Sequence, residues 1–197
     1  LSQKEQDQAI LPDAMGRRKI VLATSIAQTS ITVEGVRIVI DSGFLRVPRF
    51  SPRTGMTHLA TVKVSQGAAD QRRGRAGRVA PGVCYRLWTQ QEERTYELHS
   101  TPQIMEADLA PLALELTAWG AIPEELMWLD LPPKAAFAQG TELLQLLGAV
   151  RADGQITTHG RNMAEIGLHP RLSHMMLQAI SLGYGELACE IAALLGQ

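Results

Sequence analysis

Apolar residues form two short continuous runs near the start of the chain, KIVLAT (19–24) and VRIVID (36–41). Both are rich in β-branched residues and too short for buried helices, so each predicts a strand buried on both faces. Two such strands with a crossover between them predict a parallel sheet covered by helices. From Ser42 to Ser65 apolar and polar residues alternate, with Pro48, Pro52 and an Arg-Thr-Gly turn at 53–55. That pattern predicts a β-hairpin or ribbon. GAADQRRGRAGR (67–78) predicts a helix that breaks at its glycines, and GVCYRLW (82–88) a third short strand. Residues 1–11 carry polar helix formers and predict a helix.

The pattern changes near residue 90, after which helical spacing dominates. In EADLAPLALELTAWG (106–120), Asp108 is placed to cap a helix whose first turn tolerates Pro111. Leu109, Leu112, Leu116 and Trp119 then share a face, and Gly120 ends it. A second helix follows in PPKAAFAQGTELLQLLGA, and AVRADGQITTHG reads as two short strands joined at Asp153-Gly154. Helices followed by a terminal β-ribbon are in the order of a winged helix. From His169 onward the chain is helical again, with Leu172, Met176, Ala179 and Ile180 on one stripe, and it stops in CEIAALLGQ. The fold class expected is α/β: a partial parallel-sheet domain, then a mostly helical winged-helix domain and the start of a helical bundle.

Composition narrows the functional classes. The 197 residues are 45% hydrophobic with a net charge of -1, which excludes a tail-driven, histone-like nucleic-acid binder and makes any basic surface local. Cys84 and Cys189 lie far apart with no metal-ligand or disulfide spacing, which fits a reducing, cytoplasmic location. The five histidines are scattered without ligand spacing, so zinc is not expected. No apolar run approaches the roughly 20 residues of a membrane span. The first ten residues, LSQKEQDQAI, lack an initiator Met and read like the middle of a helix, so a piece of a longer protein is expected.

One octamer departs from the near-neutral background. QRRGRAGR (71–78) holds four arginines around Gly74 and Gly77. A guanidinium donates two parallel hydrogen bonds and stays charged, which suits it to phosphate oxygens. On a helix starting near Ala68, Gln71, Arg75 and Arg78 are three or four residues apart and share a face, with Arg72 turned away from them. By residues alone, a solvated basic helix end is the commoner outcome for such an octamer.

QRRGRAGR resembles motif VI of the superfamily 2 helicases. ATSIAQTSITVEG (23–35) resembles motif V of their DEAH-box branch, whose usual form runs Ala-Thr-Asn-Ile-Ala-Glu-Thr-Ser, and VIDSGF (39–44) resembles the Val-Asp-x-Gly segment that follows. Order, spacing and the intervening hairpin agree over nearly the whole chain. Ser25, Gln28 and the RLW after motif VI are most similar to the bacterial HrpB-type RNA helicases.

The resemblance implies an ATP-dependent RNA helicase, with a second RecA-like domain at 1–90, a winged helix at 91–166 and a truncated bundle at 167–197. It implies that Gln71, Arg75 and Arg78 face the ATP γ-phosphate, the arginines as fingers, and that Asp41 contacts the ribose. For Asp41 a plain turn-forming role in DSG stands equally open. Thr24 matches a position that touches an RNA phosphate, and Thr29 and Ser30 one that links nucleotide state to RNA grip, although both also suit helix capping. Arg46, Arg49 and Arg53 lie on the hairpin that faces single-stranded RNA in this family, or are ordinary exposed charges. Ser25 and Gln28 keep hydrogen-bonding capacity, but Gln28 removes a carboxylate. No phosphate loop and no Asp-Glu-x-His occur, so the ligands for ATP-bound Mg2+ are expected in a first RecA-like domain preceding residue 1. That domain and RNA are the expected partners, with no membrane, and this stretch alone is expected to be inactive. The alternatives are a non-catalytic winged-helix nucleic-acid-binding module and a degenerate helicase-like scaffold.

Overall fold

The computed structural model describes residues 2–13, 15–25, 28, 33–51 and 54–195. Ser2 caps α1 (Gln3–Ile10), its hydroxyl accepting from the Glu5 N–H while the Glu5 carboxylate accepts from the Ser2 N–H. This reciprocal box satisfies amide donors that the first helical turn otherwise leaves unbonded. At the other end Lys19 Nζ donates to the carbonyls of Gln8 and Leu11, which favours a cation at the negative end of the helix.

The expected strand at 19–24 is not formed. The segment is irregular and exposed, with Ile20 85% and Leu22 95% accessible. A parallel strand needs a neighbour's backbone on at least one edge, and among the described residues no strand pairs with it. The sheet forms instead between β1 (Ile38–Asp41) and β4 (Val83–Arg86), which run parallel with Ile38 opposite Val83 and Asp41 opposite Arg86. Strands β2 (Phe44–Ser51) and β3 (Met56–Lys63) pair as the expected hairpin. The connection from β3 to β4 runs through α2 (Gln66–Ala76), so α2 belongs to the crossover that a parallel pair requires.

Helix α2 does not break at Gly74; it runs on to Gly77, its C-cap. A mid-helix glycine costs only about 1 kcal/mol, and α2 is tied down at its start. Ser65 caps it, while Gln66 and Gly67 donate their N–H groups to the carbonyls of Glu97 and Leu98 at 2.8 and 3.0 Å. Its inner face buries Ala68 and Ala69 with Val64 and Tyr96, against which Trp88 packs. Gly82 lies where α2 ends: a Cβ there would sit 2.0 Å from the Ala76 carbonyl oxygen. A short helix α3 (Gln90–Glu93), capped by Thr89, follows β4.

Residues 1–49 and 58–101 form one compact unit, and residues 50–57 and 102–197 a second. The second contains α4 (Ala110–Trp119), α5 (Lys134–Leu146), α6 (Thr158–Ile166), α7 (Pro170–Ser181) and α8 (Gly185–Leu195). Asp108 accepts from the Ala110 N–H just ahead of α4, but the cap position falls on Leu109, which has no side-chain cap bond, and Gly120 ends the helix at φ 81. The core is Ala113, Leu114, Leu144, Ala149, Val150 and Met163. Leu109 and Leu116 are buried as predicted, but Trp119 is 74% exposed. The two strands expected around Asp153-Gly154 reduce to a single antiparallel bridge, Val150 to Ile156. Among the described residues no helix is long and apolar enough to cross a membrane.

Candidate functional site

The basic octamer lies on the second half of α2, whose last turn carries Arg73 and Arg75 at the helix's negative end. Gln71 and Arg75, four residues apart, share a face as expected. Arg78 does not join them on the helix, because α2 stops at Ala76 and Arg78 follows the Gly77 cap. Arg72, expected to turn away, is held at three points. Its Nη1 donates to Asp41 Oδ1 at 2.7 Å and to the Phe44 carbonyl at 3.2 Å, and its Nε donates to Gln28 Oε1 at 3.2 Å.

Gln28 gathers three side chains of α2. Besides accepting from Arg72, its Nε2 donates to Gln71 Oε1 at 3.1 Å. Its main-chain carbonyl accepts from Arg75, through Nε at 3.0 Å and through Nη2. The segment 23–35 and the octamer 71–78, distant in sequence, therefore meet at one residue.

Asp41 ends β1 and is buried: its side chain is 1% exposed, against 16% for Arg72. Oδ1 accepts from both Arg72 and the Gly43 N–H, the latter at 3.0 Å. The second contact is the local turn bond that DSG suggested, with Gly43 at φ 79. Oδ2 is buried and has no partner among the described residues. A charge this deep is stable only when paired, so the chain has placed an arginine of its octamer against it.

The other expected site residues are not gathered here. Thr24 is exposed in the irregular segment 19–24. Arg46 and Arg49 are exposed on β2. Thr29, Ser30 and Arg53 lie outside the described residues.

A second ion network sits beside α2. Arg86 bridges Asp70, at 2.6 Å, and Glu93, while Asp70 also meets Arg73 at 3.2 Å. Arg86 lies over the Trp88 ring, 5.5 Å from its centroid.

Sequence reasoning missed the contacts made by three histidines. His169 caps α7 and its Nε2 lies 2.8 Å from Asp108 Oδ2. Burial raises the Asp108 pKa, but the His169 bond, the Ala110 N–H and the nearby positive charges outweigh it and hold the carboxyl below its ordinary value. His159 Nε2 and His174 Nδ1 are 2.9 Å apart with their rings edge to face. Burial, and then the charge of His174, lower the His159 pKa. The pairs lie 61 and 15 residues apart in sequence, beyond any local spacing rule. Among the described residues no group of three His, Cys, Asp or Glu is arranged to hold a metal ion.

Residues 1–80 match the family described as helicase conserved C-terminal domain. The chain is 43% identical over 196 residues to the ATP-dependent RNA helicase HrpB of Escherichia coli (strain K12), covering 99% of this chain and 24% of that protein. It is likewise similar to two solved structures at 43% identity and 99% coverage of this chain. The crystal structure of the E. coli DExH-box NTPase HrpB matches with a TM-score of 0.86 over 24% of its chain. That of the Escherichia coli DEAH/RHA helicase HrpB matches with a TM-score of 0.92 over 25%. The chain thus spans about a quarter of the length of these relatives.

Proposed function

We propose that this chain, whose residues 1–80 match the family described as helicase conserved C-terminal domain, is part of a DEAH-box ATP-dependent RNA helicase. In this reading residues 1–90 form the second RecA-like domain, 91–166 a winged helix and 167–197 the start of a helical bundle. A first RecA-like domain holds ATP and the ligands of its Mg2+. This chain supplies the opposing wall, in which Arg75 and Arg78 act as guanidinium fingers on the γ-phosphate beside Gln71.

One observation carries the reading. The residues resembling motif V and motif VI, more than forty positions apart, meet in one hydrogen-bonded node at Gln28. A solvated basic helix end has no need of such a node. A motor that couples RNA grip to nucleotide state does, because movement at one segment must be felt at the other.

The chemistry follows from charge. As the γ-phosphoryl group transfers, negative charge shifts among its oxygens, and preplaced guanidinium donors stabilise that redistribution. Asp41, buried at the end of β1, fixes Arg72, which in turn holds Gln28. On the RNA side, Thr24, Thr29 and Ser30 with Arg46, Arg49 and Arg53 contact the backbone of a single strand, which positions it without reading its sequence. Domain closure assembles the ATP site, and reopening after hydrolysis moves the grip along the strand.

The test is ATP hydrolysis by the longer protein carrying this chain, with and without single-stranded RNA. RNA-stimulated turnover is expected to fall by about 10³-fold or more in Arg75→Ala, the usual worth of an arginine finger. Unchanged turnover in the variant removes Arg75 from the chemistry. A wild type without turnover favours a nucleic-acid-binding module or a scaffold instead.

A further inference from the structure

The hydrogen bonds at Gln28 run in one direction, and arginine dictates which. Arg72 has donors only, so the Gln28 atom facing its Nε must be the carbonyl oxygen, as found at 3.2 Å. Asp41 and the Phe44 carbonyl hold that guanidinium in place from the other side. The Gln28 NH2 group is thereby committed to face Gln71. Gln71 in turn must present its oxygen, at 3.1 Å, which directs its own NH2 group away from Gln28. Gln71 is exposed, so a ligand meeting this face can reach that NH2 group.

We infer that Gln28 is a positioning residue that sets the polarity of Gln71, so that an amide NH2 rather than a carbonyl oxygen meets the terminal phosphate of the nucleotide. The inference rests on the ATP reading above. A glutamate at position 28, the residue usual in the resembling family, reverses the relay. Its carboxylate has only acceptors, so Gln71 must turn its NH2 inward and offer its oxygen to the like-charged phosphate. The bonds of Arg75 to the main-chain carbonyl of residue 28 survive that exchange. The side chain of Gln28 therefore acts on Gln71 and Arg72, and its backbone on Arg75.

The experiment compares RNA-stimulated ATP turnover of the full-length protein in wild type, Gln28→Glu, Gln71→Ala and the double variant. Each single variant is expected to lower kcat by about tenfold, the worth of one reversed or lost hydrogen bond at the reacting centre. KM for RNA should not change. The double variant should be no slower than the slower single, since both act on one contact. Wild-type kcat in Gln28→Glu, or single effects that multiply to about a hundredfold in the double, overturns the inference. A urea-unfolding cycle on Gln28→Ala and Gln71→Ala reads the relay without activity. Zero coupling there refutes it, whereas an inactive wild type with coupling intact sinks the helicase reading and leaves the relay standing.

Discussion

The pair between Asp41 and Arg72 is the most sensitive element near the octamer, and its two ends should not be equivalent. The Asp41 side chain is 1% exposed and Arg72 16%, with 2.7 Å between them. In Arg72→Met, Asp41 keeps only the Gly43 N–H, while Oδ2 already lacks a described partner. A buried charge stripped of its counter-ion costs about 3–5 kcal/mol. In Asp41→Asn, by contrast, an amide oxygen still accepts from Gly43 and Arg72. Arg72 also keeps the Gln28 and Phe44 oxygens and some access to water. Loss of the charge alone, with the hydrogen bonds retained, is expected to cost about 1–2 kcal/mol. Asp41→Asn/Arg72→Met should be more stable than Arg72→Met alone, because the orphaned charge is gone. The assay is urea unfolding followed by Trp88 fluorescence in a Trp119→Phe/Trp128→Phe background. Trp88 packs on Tyr96 in the unit that contains the pair. Equal destabilisation by the two single variants, or a double variant worse than Arg72→Met, would refute the reasoning.

Two further outcomes test the second unit. The His159 pKa is lowered by burial and then by His174 from its ordinary 6.5, so the unfolded chain takes up the proton first. The stability this group contributes is full above pH 6.5 and is lost as pH falls towards the folded value, and the depressed Asp108 carboxyl adds a second loss below its ordinary 3.8. Urea midpoints measured from pH 8 to 3 should fall in both windows, and His159→Phe should flatten the upper one; parallel curves there refute the assignment. Gly140→Ala should destabilise by about 1–3 kcal/mol, since its Cβ would lie 3.0 Å from the Ala110 backbone on α4. Thermal unfolding within 0.5 °C of wild type would show that the two helices move apart freely.

Elements whose stabilising contacts are local were legible in the chain. The hairpin at 44–63, the stop at Gly120 and the helical character after residue 100 depend on alternation, turn residues and helix formers within a few positions. Those signals are carried by the sequence whatever surrounds it. The helix that carries most of QRRGRAGR was likewise legible, because its helix formers and the Ser65 cap are local.

What failed required knowledge of a neighbour. KIVLAT has the composition of a buried strand, yet a strand exists only when another backbone completes its hydrogen bonds, and none does so among the described residues. Trp119 sits at the right helical spacing for the core, but it is the last residue of the helix and is exposed. Periodicity turned Arg72 away from the site. Tertiary structure turned it inward, because Asp41 is buried at the end of β1 and a buried carboxylate must find a cation. The amino-acid sequence by itself thus determined which charges the octamer offers and where its helix begins. Only the fold decided that β1 brings Asp41 beneath that helix and that Gln28 meets it, since hydrogen bonds between residues more than forty positions apart depend on how the chain closes on itself.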